Sequence, residues 1–151
     1  MDGSWNVKAK SQLFYDEAAY RLISGGANAQ WQDPNTTYRG NATTTRSWHD
    51  IANNLYVEAH GQFDNFGSRR KAWDANGNRT QSDFSSYYQY AYPTGVTSPI
   101  PDSSGVYGSD SAFTTSTTFD PNTGLPTSTT DINGQTTQIS YADPVTNVLD
   151  P

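Results

Sequence analysis

The sequence predicts an all-β protein built from antiparallel β-hairpin repeats stacked into a curved, open sheet. Three observations carry this: a composition rich in Thr and Tyr and poor in helix formers, Asp-x-Asn-Gly turns between strand-like stretches, and recurrence of one motif along the chain. Only 33% of the 151 residues are hydrophobic, against a usual ~45–50% that also counts glycine, so little material is available for a core. Yet aromatics make up 13%, with ten Tyr, six Phe and four Trp. Disordered chains lack such residues, and a pleated surface favours them. Leu, Met, Lys and Glu, which favour helices, are scarce.

The first strong hairpin signal lies between residues 63 and 80. Phe63-Asp64 leads through Asn65 and Phe66 to Gly67, and a strand-like stretch then reaches Trp73-Asp74-Ala75-Asn76-Gly77 and Asn78-Arg79-Thr80. Asn-Gly between strands predicts a two-residue type I′ turn, which needs positive φ at both central residues. The Asp ahead of it is placed to accept backbone amides two residues on and pin the turn. Residues 119–141 repeat the pattern. Phe119-Asp120, Pro121, Asn122 and Thr123 lead to Gly124, a Thr-rich stretch follows, and Asp131-Ile132-Asn133-Gly134 opens another. This second copy has one extra residue in its first turn. An aromatic lies seven residues beyond each Asn-Gly glycine, Phe84 and Tyr141, and Tyr141-Ala142-Asp143-Pro144 reads as the opening of a further unit.

Weaker openings stand at Phe14-Tyr15-Asp16 and Tyr38-Arg39-Gly40, giving aromatics at 15, 38 and 63. The 56-residue gap from Phe63 to Phe119 has room for two units if one carries an insertion. Pro93–Asp110, with three prolines and three glycines, is expected to be that insertion as a loop. The organisation is then degenerate repeats over 1–62, a repeat over 63–92, an insertion loop over 93–112, and a repeat with a truncated successor over 113–151. Single hairpins this poor in apolar residues must stack on their neighbours.

The motif aromatic-Asp, turn Gly, strand, Asp-x-Asn-Gly, Thr-rich strand, aromatic-Asp resembles the YD (Rhs) repeat of bacterial Rhs proteins and animal teneurins, over residues 63–80 and 119–143. The repeat positions are Phe63, Asp64, Gly67, Trp73, Asp74, Asn76, Gly77, Phe119, Asp120, Gly124, Asp131, Asn133, Gly134, Tyr141 and Asp143. The resemblance implies a strip of sheet from a large hollow shell, outside the cell or on its surface, which in bacterial members encloses a toxin domain. It implies neighbouring repeats as partners, with an enclosed toxin domain or surface glycans as further ones. The chain is much shorter than such a shell and lacks the family's core-terminating segment, so it is expected to be a fragment whose secretion signal lies upstream.

The charge pattern disfavours nucleic acid. Net charge is −6, and residues 80–151 hold seven Asp with no Lys or Arg, so no basic stripe runs along the chain. Arg69-Arg70-Lys71 is the one basic cluster. No apolar run approaches the ~20 residues of a membrane span. With no Cys there are no disulfides, thiolate nucleophiles or Cys-bound zinc. The Asp-x-Asn-Gly segments lack the ligand spacing of a calcium loop. His49 and His60 are too far apart for a zinc pair and have no nucleophile elbow near them. No metal, cofactor or catalytic residue is therefore expected, and the chain reads as non-catalytic scaffold. The alternative is a carbohydrate-binding or adhesion module using exposed Trp and Tyr. Tyr88, Tyr90 and Tyr92 alternate as one face of a strand would. That stripe is a ligand platform if exposed and core if covered.

Overall fold

A computed structural model describes residues 9–141; Asp143 of the repeat motif and Trp5 lie outside the described residues. The fold is all-β, nine antiparallel strands in an open, unclosed meander, with no α-helix among the described residues. The chain divides into two compact units after Gln81. The first holds β1 (Ser11–Tyr15), β2 (Ala42–Asp50), β3 (Leu55–Phe63), β4 (Arg69–Trp73) and the start of β5 (Arg79–Phe84). The second holds the end of β5, then β6 (Pro93–Thr97), β7 (Thr114–Phe119), β8 (Pro126–Thr130) and β9 (Thr136–Gln138). Within each unit the strands bond to their neighbours in the chain.

Among the described residues no hydrophobic side chain is fully buried; the buried side chains are Thr43, Thr44 and Asp64. Cohesion therefore comes from backbone ladders, cross-strand hydroxyl pairs and partly covered rings. Thr97 pairs with Thr114 at 3.0 Å and Thr130 with Thr136 at 2.9 Å. In the second unit Tyr92 stacks on Phe119 with centroids 4.9 Å apart, and Tyr88 meets Phe119 edge-on at 5.7 Å. Pairs of this kind contribute about 0.5–1.5 kcal/mol beyond area burial.

Three hairpin turns share one hydrogen-bond pattern. At Asp74 the backbone N–H donates to the Asn78 carbonyl (3.0 Å), the Gly77 N–H donates to the Asp74 carbonyl (3.0 Å), and Asp74 Oδ1 accepts from the amides of Asn76 and Asn78. Asp131 does the same with Gln135, Gly134 and Asn133. So does Asp64, with Ser68, Gly67 and Phe66. The turn is thus the three-residue type with a glycine bulge, and the type I′ expectation is corrected. Asn76 and Asn133 keep negative φ; only Gly77 (φ 82°) and Gly134 (φ 78°) are left-handed. The Asp carboxylate decides the outcome, because it can collect two amides only when the loop is one residue longer. Asp120 closes its longer loop in a related way, accepting from Asn122 and Thr123, with Gly124 at φ 73°.

Strand pairing repeats residue for residue. Lys71 faces Gln81, Ala72 faces Thr80 and Trp73 faces Arg79; 57 residues on, Ser128 faces Gln138, Thr129 faces Thr137 and Thr130 faces Thr136. The preceding pairs match too, Gln62 with Lys71 and Thr118 with Ser128. Each register then skips one residue, Arg70 and Thr127, before Phe63 meets Arg69 and Phe119 meets Pro126. The same skip at Thr43 separates Phe14–Thr44 from Tyr15–Ala42.

This places the first repeat differently from the sequence reading. Asp16 N–H donates to the Asn41 carbonyl, and the Asp16 carboxylate accepts from the amides of Arg39, Gly40 and Asn41. Tyr15-Asp16 and Gly40 are the two ends of one opening turn, into which the segment between them is inserted. Tyr38 does not open a repeat; it is an exposed residue of that insertion (79% exposed). Likewise residues 93–112 are not all loop, since Pro93–Thr97 forms β6 and Thr94 Oγ1 donates to the Asp83 carbonyl. The Pro- and Gly-rich excursion begins after β6 and carries its own Asp-closed turn, Asp102 to Gly105. Hydrogen bonds from the Ser104 hydroxyl and from the amides of Tyr107 and Ser104 lower the Asp102 carboxyl to about 2.

Asp64 differs from its counterparts in being buried and in holding Arg70 Nη1 at 3.2 Å. Asp64→Ala should therefore cost about 3 kcal/mol, because it removes a buried carboxylate that pairs with Arg70 and accepts two amides. Asp74→Ala, in a solvated turn, should change stability far less. Urea unfolding of the two variants checks the order, and equal losses would contradict it.

Candidate functional site

The candidate ligand-sized concavity is an open groove of about 690 Å³ in the first unit, bounded by Tyr20, Tyr56, Glu58, His60, Trp73 and the turn at residues 74–77. Its volume falls within the ~300–1,000 Å³ usual for small-molecule sites. β3 supplies Tyr56, Glu58 and His60 from one face, because residues two apart in a strand point the same way. His60 faces Trp73 of β4 across the ladder. Tyr20 comes from a single 3₁₀ turn, Ala18–Tyr20, in the inserted segment. Its ring stacks on His60 at 4.7 Å and tilts against Trp73 at 5.5 Å.

Under the groove a polar relay fixes the imidazole. Glu17 Oε2 accepts from Thr43 Oγ1 at 2.8 Å and from Thr44 Oγ1 at 2.5 Å. Thr44 Oγ1 also lies 2.8 Å from His60 Nδ1. A hydroxyl has one proton, and an ionised carboxylate only accepts. With Thr44 donating to Glu17, its oxygen accepts from Nδ1–H of His60, and in that tautomer Nε2 is the acceptor. Among the described residues Nε2 has no partner.

Glu58 is held from the far side by Arg46, whose Nε and Nη2 reach Oε1 at 2.7 and 2.6 Å. The same guanidinium lies over the Tyr56 ring, 4.1 Å from its centroid. The Tyr20 phenol is raised above its ordinary value, chiefly by burial and then by the carboxylates of Glu17 and Glu58. It stays protonated as a donor through neutral pH.

The repeat residues are not gathered at this groove. Asp64, Asp120 and Asp131 are occupied in their own turns, and only Trp73, Asp74, Asn76 and Gly77 reach its rim. Tyr88, Tyr90 and Tyr92 do not form a strand face. Ser86–Tyr88 is a 3₁₀ turn, and Gln89 and Tyr90 follow with φ of 54° and 62°. Tyr88 and Tyr92 turn onto Phe119, and the Tyr88 hydroxyl oxygen accepts from the Phe119 amide at 3.0 Å.

His49 and His60 are not brought together as metal ligands, and among the described residues no three His, Asp or Glu side chains form a metal-sized group. No helix is long and apolar enough to cross a membrane. Sequence reasoning did not find the groove. Its rings come from three separated stretches, and Tyr20 is in an irregular insertion without periodicity.

No protein-family model matches the chain, and no curated protein or solved structure does.

If the relay positions His60, Thr44→Val should destabilise the first unit by about 1–3 kcal/mol, because Glu17 loses a buried donor. The ¹⁵N shifts of the His60 ring should also move away from the Nδ1–H tautomer pattern. A variant with unchanged ring shifts would contradict the relay.

Proposed function

We propose that this chain is a non-catalytic β-repeat scaffold, a module of YD-repeat (Rhs) character from an exported or cell-surface protein whose shell encloses a passenger such as a toxin domain. The observation supporting this most is the residue-for-residue repetition of register and Asp-closed turn between residues 60–81 and 116–138. A shared hydrophobic centre does not explain that regularity, since no hydrophobic side chain among the described residues is fully buried. Each hairpin instead draws its stability from the strands beside it, the logic of a repeat array.

The chemistry of the carboxylates supports the same reading. Asp74, Asp120 and Asp131 accept backbone amides within their own turns. The carboxyls of Asp74 and Asp120 are lowered by these bonds, Asp74 first by the Asn78 side chain and Asp120 first by the Thr123 amide. A general acid at neutral pH needs the opposite shift. β1 and β9 are first and last in strand order among the described residues, the positions at which further hairpins of an array add.

In an array of this kind stability rises with the number of stacked units. A chain carrying a second copy of residues 113–141 directly after the first should unfold at a higher urea midpoint with a steeper transition. An unchanged midpoint, or a separate transition for the added copy, would count against the scaffold reading.

A further inference from the structure

We propose that the groove of the first unit binds a neutral saccharide, with Trp73 and Tyr56 as stacking surfaces and His60 Nε2 as an acceptor for a sugar hydroxyl. The groove offers hydrogen-bond acceptors in excess. His60 presents Nε2 because the Thr44–Glu17 relay occupies Nδ1. Glu58, Asp74 and the amide of Asn76 add oxygens around it, and no Lys or Arg is among the described residues that line the space. The matching ligand is rich in O–H donors and has an apolar face to lay on the rings, as a pyranose has.

A cation is the competing ligand for rings beside carboxylates, and the electrostatics disfavour it. The charge of Glu58 is answered by Arg46 at 2.6 Å, and Asp74 is engaged by the amides of Asn76 and Asn78 and by the Asn78 side chain. One face of Tyr56 already carries the Arg46 guanidinium. What remains is a set of polar acceptors with little uncompensated charge, beside a Tyr56 that is 39% exposed.

The geometry also divides the work. Tyr20, stacked on His60 and packed against Trp73, holds both rings at the groove floor and is a positioning residue. The Asp74-to-Asn78 turn forms the rim, so the hairpin that repeats at Asp131 for structural reasons gains a second use here. Its counterpart lacks the partners: Trp73 corresponds in register to Thr130, and His60 to Ser116. The site therefore belongs to this unit and is not a property of the repeat, and it stands whether or not the scaffold reading does.

The test is calorimetric titration of the 151-residue chain with maltohexaose, cellohexaose and chitohexaose, alongside tetramethylammonium as the cation probe, with tryptophan emission followed in parallel. At least one hexasaccharide is expected to bind and to shift the emission. Tyr56→Ala and His60→Leu should each weaken binding about tenfold, while Trp31→Phe, which lies beside Phe66, should leave it intact. Circular dichroism confirms that each variant folds, and Tyr56 is exposed enough that its loss leaves the sheet in place. No hexasaccharide binding at roughly 10 mM, a range in which even weak affinities register, would overturn the proposal. Binding undiminished in both variants would overturn it too, as would binding of tetramethylammonium alone.

Discussion

The constraint on which the rest of this structure depends is the capture of backbone amides by the Asp that opens each repeat turn, at Asp16, Asp64, Asp74, Asp120 and Asp131. In a chain with no fully buried hydrophobic side chain among its described residues, register cannot be set by turning an apolar face inward. Many strands carry Thr and Ser on both faces, and sliding such a strand by one residue exchanges like for like. The turn must therefore fix the register. Asp64, Asp74 and Asp131 each bind the amides two and four residues ahead. A glycine with positive φ then completes the loop, where a side chain would be strained. At Asp74 the Asn78 side chain and amide hold the carboxyl below its ordinary value, which ties that turn to the ionised form. A carboxyl whose folded value is lowered contributes fully above its ordinary value and loses that contribution as pH falls through the lowered one. For Asp102, lowered to about 2, that loss is confined to strongly acidic solution.

The same closure explains how the repeats tolerate such different lengths. Between Asp16 and Gly40 the opening turn holds a long insertion, yet Asp16 still binds the amides of Arg39, Gly40 and Asn41 and the ladder resumes with the same one-residue skip. The insertion is not idle. Ile23 makes a parallel bridge to Asp64, and the Gly25 amide donates to Asn65 Oδ1. A methyl at Gly25 would lie 2.6 Å from the Phe66 ring, so close passage over the second turn requires glycine there. By bringing Glu17 and Tyr20 onto β2, β3 and β4, the insertion turns a repeated hairpin into a groove.

Much of the fold was legible in the sequence because its determinants are local. Asp, Asn and Gly at fixed offsets marked the turns at 74–77 and 131–134, and Thr and Tyr marked the strands. The turn type was not legible. A two-residue and a three-residue loop at Asn76-Gly77 differ by one step of register, and the flanking residues do not penalise either. Tyr38 was misread because an aromatic at the expected spacing is indistinguishable from a repeat opening until Gly40 is seen to close on Asp16. Pro93 at the first position of β6 suggested a loop, although proline is tolerated where a strand begins. The Tyr88, Tyr90 and Tyr92 alternation failed because Gln89 and Tyr90 take left-handed conformations, which these residue types seldom announce. The groove was hidden for another reason: His60 gains its orientation from Thr44 and Glu17, and only the register brings them together.

The most direct measurement is the pattern of cross-strand Hα–Hα nuclear Overhauser effects in the hairpin of residues 71–81. The Asp-closed loop predicts proximity along the ladder in which Ala72 faces Thr80 and Trp73 faces Arg79, echoed by Thr129 facing Thr137. Effects linking Trp73 with Thr80 would instead place a two-residue turn at Asn76-Gly77, a slip of one residue, and would contradict the account.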